Sequence, residues 1–394
     1  MDPRKNPYAP GAGTPPPELA GRDDLIERGA IALDRIRAGR AARSLILHGL
    51  RGVGKTVLLN RIQTDAEARG FTNLTIEAPE DRSLPALLIP ALRVALVRLD
   101  RGKRARAYLA KARSALAGFA HALKVKYKDI EVSTDFEPER GLADSGDLDT
   151  DLTDLLASIG RAAHEYRTGV VLFIDELQYV REDQLASLIR ALHAASQRQL
   201  PITMLAAGLP QLIGQMGRAK SYAERLFEFV AINPLDDKAA RAALSVPAKK
   251  EGVAFAPEAI AEILRHTMGY PYFLQEWGRH AWDAADASPI SRADARRATT
   301  LALAELDAGF FRVRFDRLTP TEKRYLRAMA ELGPGPHRSG DIAERLGKGV
   351  TNVAPVRNGL IAKGMIYSPA HGDTAFTVPL FDGFMKRIMP TLPQ

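Results

Sequence analysis

Between residues 25 and 232, short runs of β-branched and apolar residues alternate with longer stretches whose apolar positions recur at helical spacing. The run Val170-Val171-Leu172-Phe173-Ile174 contains no polar position, as befits a strand covered on both faces. Similar runs predict strands at 45–48, 72–76, 202–206 and 227–232. Strands separated by helical stretches predict an α/β core around a parallel five-stranded sheet. From 236 to 315 the pattern is helical almost throughout, with breaks expected at Pro247, Gly252 and Gly269-Tyr270-Pro271. The character changes near Arg317. Helices are predicted at 320–331, 339–346 and 350–363, and a small hairpin at 365–367 and 374–378. The pattern divides the chain into an extended lead-in (1–24), a core (25–235), a helical unit (236–316) and a C-terminal unit (317–394).

The sharpest local signal lies at the end of the first strand. Residues 49–56 read Gly-Leu-Arg-Gly-Val-Gly-Lys-Thr, and a helix starts at Thr56-Val57-Leu58-Leu59. Strand, glycine-rich turn and helix start form the phosphate-binding pattern GxxxxGK[ST] in the context its mechanism needs. Gly49, Gly52 and Gly54 let the backbone curl, so that the N–H groups from Val53 through Gly54, Lys55, Thr56 and Val57 can face phosphate oxygens. Lys55 has the reach for the β- and γ-phosphates, Thr56 offers a hydroxyl to Mg²⁺, and the helix start adds its partial positive charge. The expected ligand is ATP with Mg²⁺. The strand at 170–174 runs into Asp175-Glu176, and ligands of open α/β sheets sit beyond the carboxyl ends of the strands. Asp175 is therefore assigned to Mg²⁺ and Glu176 to polarising the attacking water.

This set resembles the AAA+ P-loop ATPases, in particular the branch of origin-recognition initiators, transposon target selectors and STAND signalling ATPases. Leu19-Ala20-Gly21-Arg22-Asp23-Asp24-Leu25 resembles the box that precedes the first strand and lines the adenine pocket, which implicates Arg22. Gly269-Tyr270-Pro271 resembles the GxP element that replaces the sensor-2 arginine, which implicates Pro271. Tyr222-Ala223-Glu224-Arg225-Leu226-Phe227 resembles the region that presents an arginine finger to a neighbouring subunit. Arg225 is the candidate finger and Arg218 the alternative; a plain surface arginine is the competing reading. The resemblance implies a helical lid over 236–316, a homo-oligomer joined across the ATP site, and a winged-helix domain as a common C-terminal appendage. Two departures point to slow hydrolysis: the strand 202–206 runs into Ala206-Ala207-Gly208 where a polar sensor is usual, and no sensor-2 arginine is evident. Gln178 or Gln211 is the candidate substitute for the first.

Composition adds a partner question. The chain has 394 residues, a formal charge of +8 and no cysteine. Disulfides, thiolate zinc sites and cysteine nucleophiles are thereby excluded, and a cytoplasmic setting fits. The proline- and glycine-rich start is neither a signal peptide nor a membrane anchor, so no membrane association is expected. The positive charge concentrates in an insertion over about 84–160. Its basic positions include Arg101, Lys103, Arg104, Arg106, Lys124, Lys126 and Lys128, and an acidic stretch from Asp129 to Asp154 follows. Residues 122–137 alternate in the manner of a β-hairpin. The block suits phosphate contacts on duplex DNA, or pairs with the acidic stretch of the same or a neighbouring chain.

The order helix, helix, helix, hairpin after residue 317 resembles a winged helix. The second helix of its pair, the recognition helix over 350–360, would place Thr351, Asn352 and Arg357 toward a major groove, with Pro355 tolerated only in the first turn. Two whole-protein expectations stand side by side. One is a slowly hydrolysing, oligomeric ATPase that binds duplex DNA in its ATP state. The other is a STAND-like switch whose insertion or winged helix binds a protein partner.

Overall fold

A computed structural model describes residues 1–100, 106–130 and 136–392. In the core, α1 (Asp23–Arg37) leads to β1 (Ser44–His48), α2 (Lys55–Ala68), β2 (Thr72–Glu77) and the helices α3 (Leu84–Leu99), α4 (Arg106–Leu123) and α5 (Leu148–Glu165). There follow β3 (Val170–Asp175), α6 (Glu182–Gln197), β4 (Ile202–Gly208), α7 (Leu212–Ala219), α8 (Ala223–Leu226) and β5 (Phe227–Ala231). The strands form one parallel sheet in the order β2-β3-β4-β1-β5, so every carboxyl end opens on the same edge.

Alternation along the strands feeds two separate cores. Leu45, Leu47, Val171, Phe173, Leu205 and Val230 face α1 and α2. Ile46, Leu74, Ile76, Leu172, Ile174 and Met204 face the layer made by α3 to α7. β3 is covered on both sides, which is why its run carries no polar residue.

The insertion between β2 and β3 is helical and belongs to the second of these cores. α3 starts on the Ser83 cap with Pro85 in its first turn. α4 buries Leu109, Ala112, Leu116, Phe119 and Leu123, a stripe at helical spacing. No strand forms over 122–130, and residues 131–135 of the expected hairpin lie outside the described residues. Leu123 ends α4, its carbonyl accepts from the N–H of Tyr127, and Tyr127 and Ile130 are buried by the turns that follow. The alternation over 123–130 reflects two anchoring side chains among exposed lysines rather than a pleat.

α9 (Asp237–Lys250), α10 (Pro257–Thr267), α11 (Pro271–Ala284) and α12 (Arg292–Leu306) form the helical unit. Pro247 lies buried in the last turn of α9 and does not break it, contrary to the sequence expectation; only the hydrogen bond its missing N–H would make is lost. A π-helical turn (Asp307–Phe311) and α13 (Arg312–Asp316) connect to α14 (Pro320–Glu331), which is opened by a Thr319–Glu322 capping box. The chain closes with β6 (His337–Arg338), α15 (Ser339–Arg345), α16 (Val350–Ala362), β7 (Ile366–Tyr367), β8 (Asp373–Phe376) and α17 (Phe381–Ile388). The last three strands make a small antiparallel sheet in the order β6-β8-β7.

Pro355 sits in the second turn of α16, not the first; both it and Thr351, whose carbonyl it crowds, are exposed, so water can satisfy what the helix loses. A single hydrophobic cluster runs from the helical unit into the C-terminal one, and its hinge is aromatic. Phe311 of the π-helical turn lies 5.8 Å from Phe381 and 5.3 Å from Phe384 of α17, between ring centroids. No described helix is long and apolar enough to cross a membrane.

Candidate nucleotide site

The loop between β1 and α2 has the backbone its glycines anticipate. Gly52 and Gly54 take φ of +82° and +89°, where a Cβ would be strained. A Cβ on Gly49 would fall 2.2 Å from the carbonyl oxygen of Ile232. The turn brings Lys55 back over its own loop, where Nζ donates to the carbonyls of Gly49 (3.0 Å) and Leu50 (2.9 Å). Burial pulls the Lys55 ammonium down to about 8, Glu176 and Asp175 pull upward, and Arg51 adds to the depression.

Across the mouth of this loop stands the end of β3. The Thr56 hydroxyl donates to Asp175 Oδ2 at 2.6 Å, and the N–H of Glu176 donates to Asp175 Oδ1 at 2.8 Å. Burial raises the Asp175 pKa, and these two hydrogen bonds hold it back. Glu176 occupies the left-handed region (φ +52°), uncommon for a side chain of its size, at the sharp turn into a 3₁₀ segment at Leu177–Tyr179. Its carboxylate accepts from Gln178 Nε2 and lies 3.7 Å from Arg51 Nη1. Gln178 also accepts from the N–H of Leu209 at 3.0 Å, just beyond β4. A Cβ at Gly208 would come 2.7 Å from that amide oxygen, so the small residue at the strand end is what admits Gln178. Of the two glutamines singled out in the sequence, Gln178 reaches Glu176. Gln211 lies at the start of α7 with its side-chain oxygen buried and unpartnered.

A cavity of about 430 Å³ opens over the loop and carboxylates. The helical unit supplies Pro271, Tyr272 and Gln275, and the N–H of Tyr272 donates to the Gly52 carbonyl at 3.1 Å. Arg22, 8% exposed, donates to the carbonyls of Val53 (3.2 Å) and Asn233 (2.6 Å). It thus ties the phosphate loop to the chain that enters α9. Two walls were not foreseen from sequence. Residues 9–14 of the lead-in cross the opening, with Gly13 against Thr56 and the preceding Tyr8 buried beneath α9 and α11. Phe310 and Arg314, from the connection to the C-terminal unit, close the other side. The C-terminal unit touches the loop itself, since the Arg51 N–H donates to Thr377 O at 3.0 Å.

These residues fit a nucleoside triphosphate and a small hard cation. Thr56 and Asp175 supply oxygen donors suited to Mg²⁺. The loop N–H groups and Lys55 suit phosphates, and the buried, unpartnered oxygen of Gln275 marks polar capacity left unused in the cavity wall.

The other sequence candidates lie apart. Arg225 is exposed on α8, ahead of β5 and hence at the sheet edge opposite the phosphate loop; among the described residues its guanidinium has no ion-pair partner. Arg218 pairs with Glu182 at 3.1 Å. Arg106, Lys124, Lys126 and Lys128 are exposed, whereas Arg101, Lys103 and Arg104 lie outside the described residues. Three acids of the acidic stretch are engaged with other groups: Asp129 holds Ser83, Asp149 holds Arg190, and Asp151 holds Ser145 and Gly146. Thr351 and Asn352 are exposed at the start of α16, whereas Arg357 braces β8 through Thr374 Oγ1 (2.9 Å) and Asp373 O (3.0 Å).

Residues 18–205 match the family described as AAA ATPase domain, and residues 308–385 match a domain of unknown function (DUF8462). No curated protein matches the chain. Among solved structures the chain is similar to the Walker-type ATPase PABY2304 of Pyrococcus abyssi, at 17% identity over 93% of this chain and 96% of that one, with a TM-score of 0.57. Weaker likenesses are the Aeropyrum pernix ORC1 protein in complex with DNA (16% identity, 94% of each chain, TM-score 0.47) and the Thermotoga maritima RuvB Holliday junction branch migration motor (15%, 91% and 92%, 0.44).

Proposed function

We propose that this chain, an AAA+ P-loop ATPase by fold, is a slow nucleotide switch that binds ATP with Mg²⁺, associates with further copies across the site and binds duplex DNA in its ATP state. The carrying observation is the connected line Thr56–Asp175–Glu176–Gln178 at the mouth of the glycine loop. In this reading Gly49, Gly52, Val53, Gly54, Lys55 and Val57 hold the phosphates. Arg22 and Pro271 shape the nucleoside end, and Thr56 and Asp175 hold the cation. Bound Mg²⁺ supplies charge neutralisation at the terminal phosphates. Glu176 accepts the proton of the attacking water. Low turnover is supported by the pairing of Glu176 with Arg51, which a competent base must loosen.

Arg225 is assigned to the site of a neighbouring copy, because it is exposed, lacks an ion-pair partner among the described residues, and sits too far round the sheet for its own. DNA contact is assigned to the exposed Arg106, Lys124, Lys126 and Lys128, together with Arg101, Lys103 and Arg104, and to Thr351 and Asn352 of a winged-helix C-terminal unit. Arg357 supports that helix from behind. A second reading, a switch whose C-terminal unit engages a protein partner, draws on the contact between Arg51 and Thr377.

The Glu176→Gln variant, mixed with ATP and duplex DNA over a series of salt concentrations, separates the two. The first reading expects particles that grow and shift DNA with ATP, weakening steeply with salt. No DNA-dependent assembly at low salt rejects it in favour of the second.

A further inference from the structure

Arg314 belongs to no motif. It lies in Phe310-Phe311-Arg312-Val313-Arg314-Phe315-Asp316-Arg317, a basic stretch that reads as an ordinary solvated helix face. Arg312 pairs with Asp316 and Arg317 with Glu80, both exposed contacts of the common kind. Arg314 differs from both. It is partly buried, lines the nucleotide cavity, and has no carboxylate partner among the described residues. Its Nη1 donates to the carbonyl of Phe310 at 2.5 Å, and the guanidinium lies 4.0 Å from the centroid of the Phe310 ring. One donor and a ring face are engaged, which leaves most of the planar fork free.

Arg51 and Lys55 face the same cavity. Burial pulls the Arg314 pKa down to about 10, with the like charge of Arg51 adding to the depression. Three cations converge there, and of the carboxylates that line the cavity Asp175 and Glu176 are already bonded to Thr56, Gln178 and Arg51, while Glu18 pairs with Lys250. Such a cluster is costly unless a polyanion enters it, and a guanidinium fork matches the oxygens of a phosphate.

We propose that Arg314 binds the terminal phosphate of the nucleotide, so that the connection to the C-terminal unit reads whether a γ-phosphate is present. The inference rests on the nucleotide site proposed above. The loop N–H groups and Lys55 serve the phosphates common to ATP and ADP. Arg314 lies on the side of Arg51, which itself pairs with the Glu176 carboxylate assigned above to the attacking water. Arg314 is also held within the hinge to the last helix: Phe311 packs on Phe381 and Phe384, and Arg317 grips Glu80 beyond β2. Engaging it fixes the C-terminal unit against the phosphate loop, where Thr377 already accepts from Arg51.

The test is the affinity of wild type, Arg314→Ala and Arg314→Lys for a non-hydrolysable ATP analogue and for ADP, each with Mg²⁺, alongside melting curves. The expected result is a loss of roughly tenfold or more in analogue affinity for Arg314→Ala. ADP affinity should stay within about twofold, and Arg314→Lys should restore part of the preference. A purely structural role would weaken both ligands equally, and equal losses or an unchanged ratio overturn the inference while leaving the site standing. If the wild type binds neither nucleotide, the site itself is refuted and the inference with it.

Discussion

Lys55 carries an ammonium into a site where burial has brought it down to about 8. A polyphosphate favours the charged form, so above that pH binding must draw a proton onto Lys55. Nucleotide affinity is therefore expected to be level below pH 8 and to fall by at most ~10-fold per pH unit above it, with matching proton uptake in calorimetry. An affinity that stays level through the alkaline range refutes the charge assignment. Gln178 supplies a second test at this scale. It bridges Glu176 and the N–H beyond β4, so Gln178→Ala leaves Glu176 to Arg51 alone. Turnover should drop by roughly tenfold or more while nucleotide affinity holds; equal turnover would show that Glu176 needs no such support. The glycines, Lys55, Thr56, Asp175 and Glu176 were readable in sequence because their work is local: they lie in the single turn from β1 into the start of α2, or at the end of β3. Gln178 could be narrowed only to a pair with Gln211, since choosing between them needs the path of the chain after β4.

Among the elements, the lead-in changes most on folding. Its polar, proline-rich sequence suggests a loose extension, yet it is fastened to the helical unit. Asn6 donates to Arg279 O (3.1 Å) and Asp283 Oδ1 (2.9 Å), the Trp282 indole donates to Asp2 O (3.0 Å), and Tyr8 packs directly on Gly278. Removing the Tyr8 ring costs about 3–5 kcal/mol of local packing. Tyr8→Ala is expected to free the stretch over the cavity and speed release of a fluorescent ADP by roughly tenfold with the fold intact. Unchanged release in stopped flow would show that residues 9–14 are a passive wall. The strands were readable to within two residues at each end, because each is a short β-branched or apolar run bounded by turn residues, and β3, buried on both faces, carries no polar position before Asp175. α17 was not anticipated: eight residues between Leu380 and Met389 carry too few turns for a period to stand out, and its place is set by packing against Phe311 and Phe315.

At the scale of the whole molecule, the distance between Arg225 and its own phosphate loop matters most. If the site is shared, Arg225→Ala and Glu176→Gln should each be inactive alone, with ATP still bound. Mixed together, they rebuild interfaces in which an intact Arg225 meets an intact Glu176. Some activity should return on mixing; a mixture as inactive as its parts would confine catalysis to one chain. The same scale holds the question of the C-terminal unit, which shares its hydrophobic core with the helical unit and rests on the phosphate loop.

The sequence by itself determined the sheet, the glycine loop and the carboxylate pair, because strand periodicity and turn chemistry act over a few residues. It also determined that positive charge gathers in the insertion. Only the tertiary structure decided what surrounds the loop. Residues 9–14 of the lead-in, Arg314 and Thr377 come from three separate places in the chain, and none has a local pattern that points at a phosphate. Their roles arise because the helical unit folds back over the carboxyl ends of the strands and carries its neighbours with it. Charges that look alike in sequence, such as Arg312, Arg314 and Arg317, part company there. Burial beside Arg51 leaves one of them wanting an anion, while a carboxylate answers the other two.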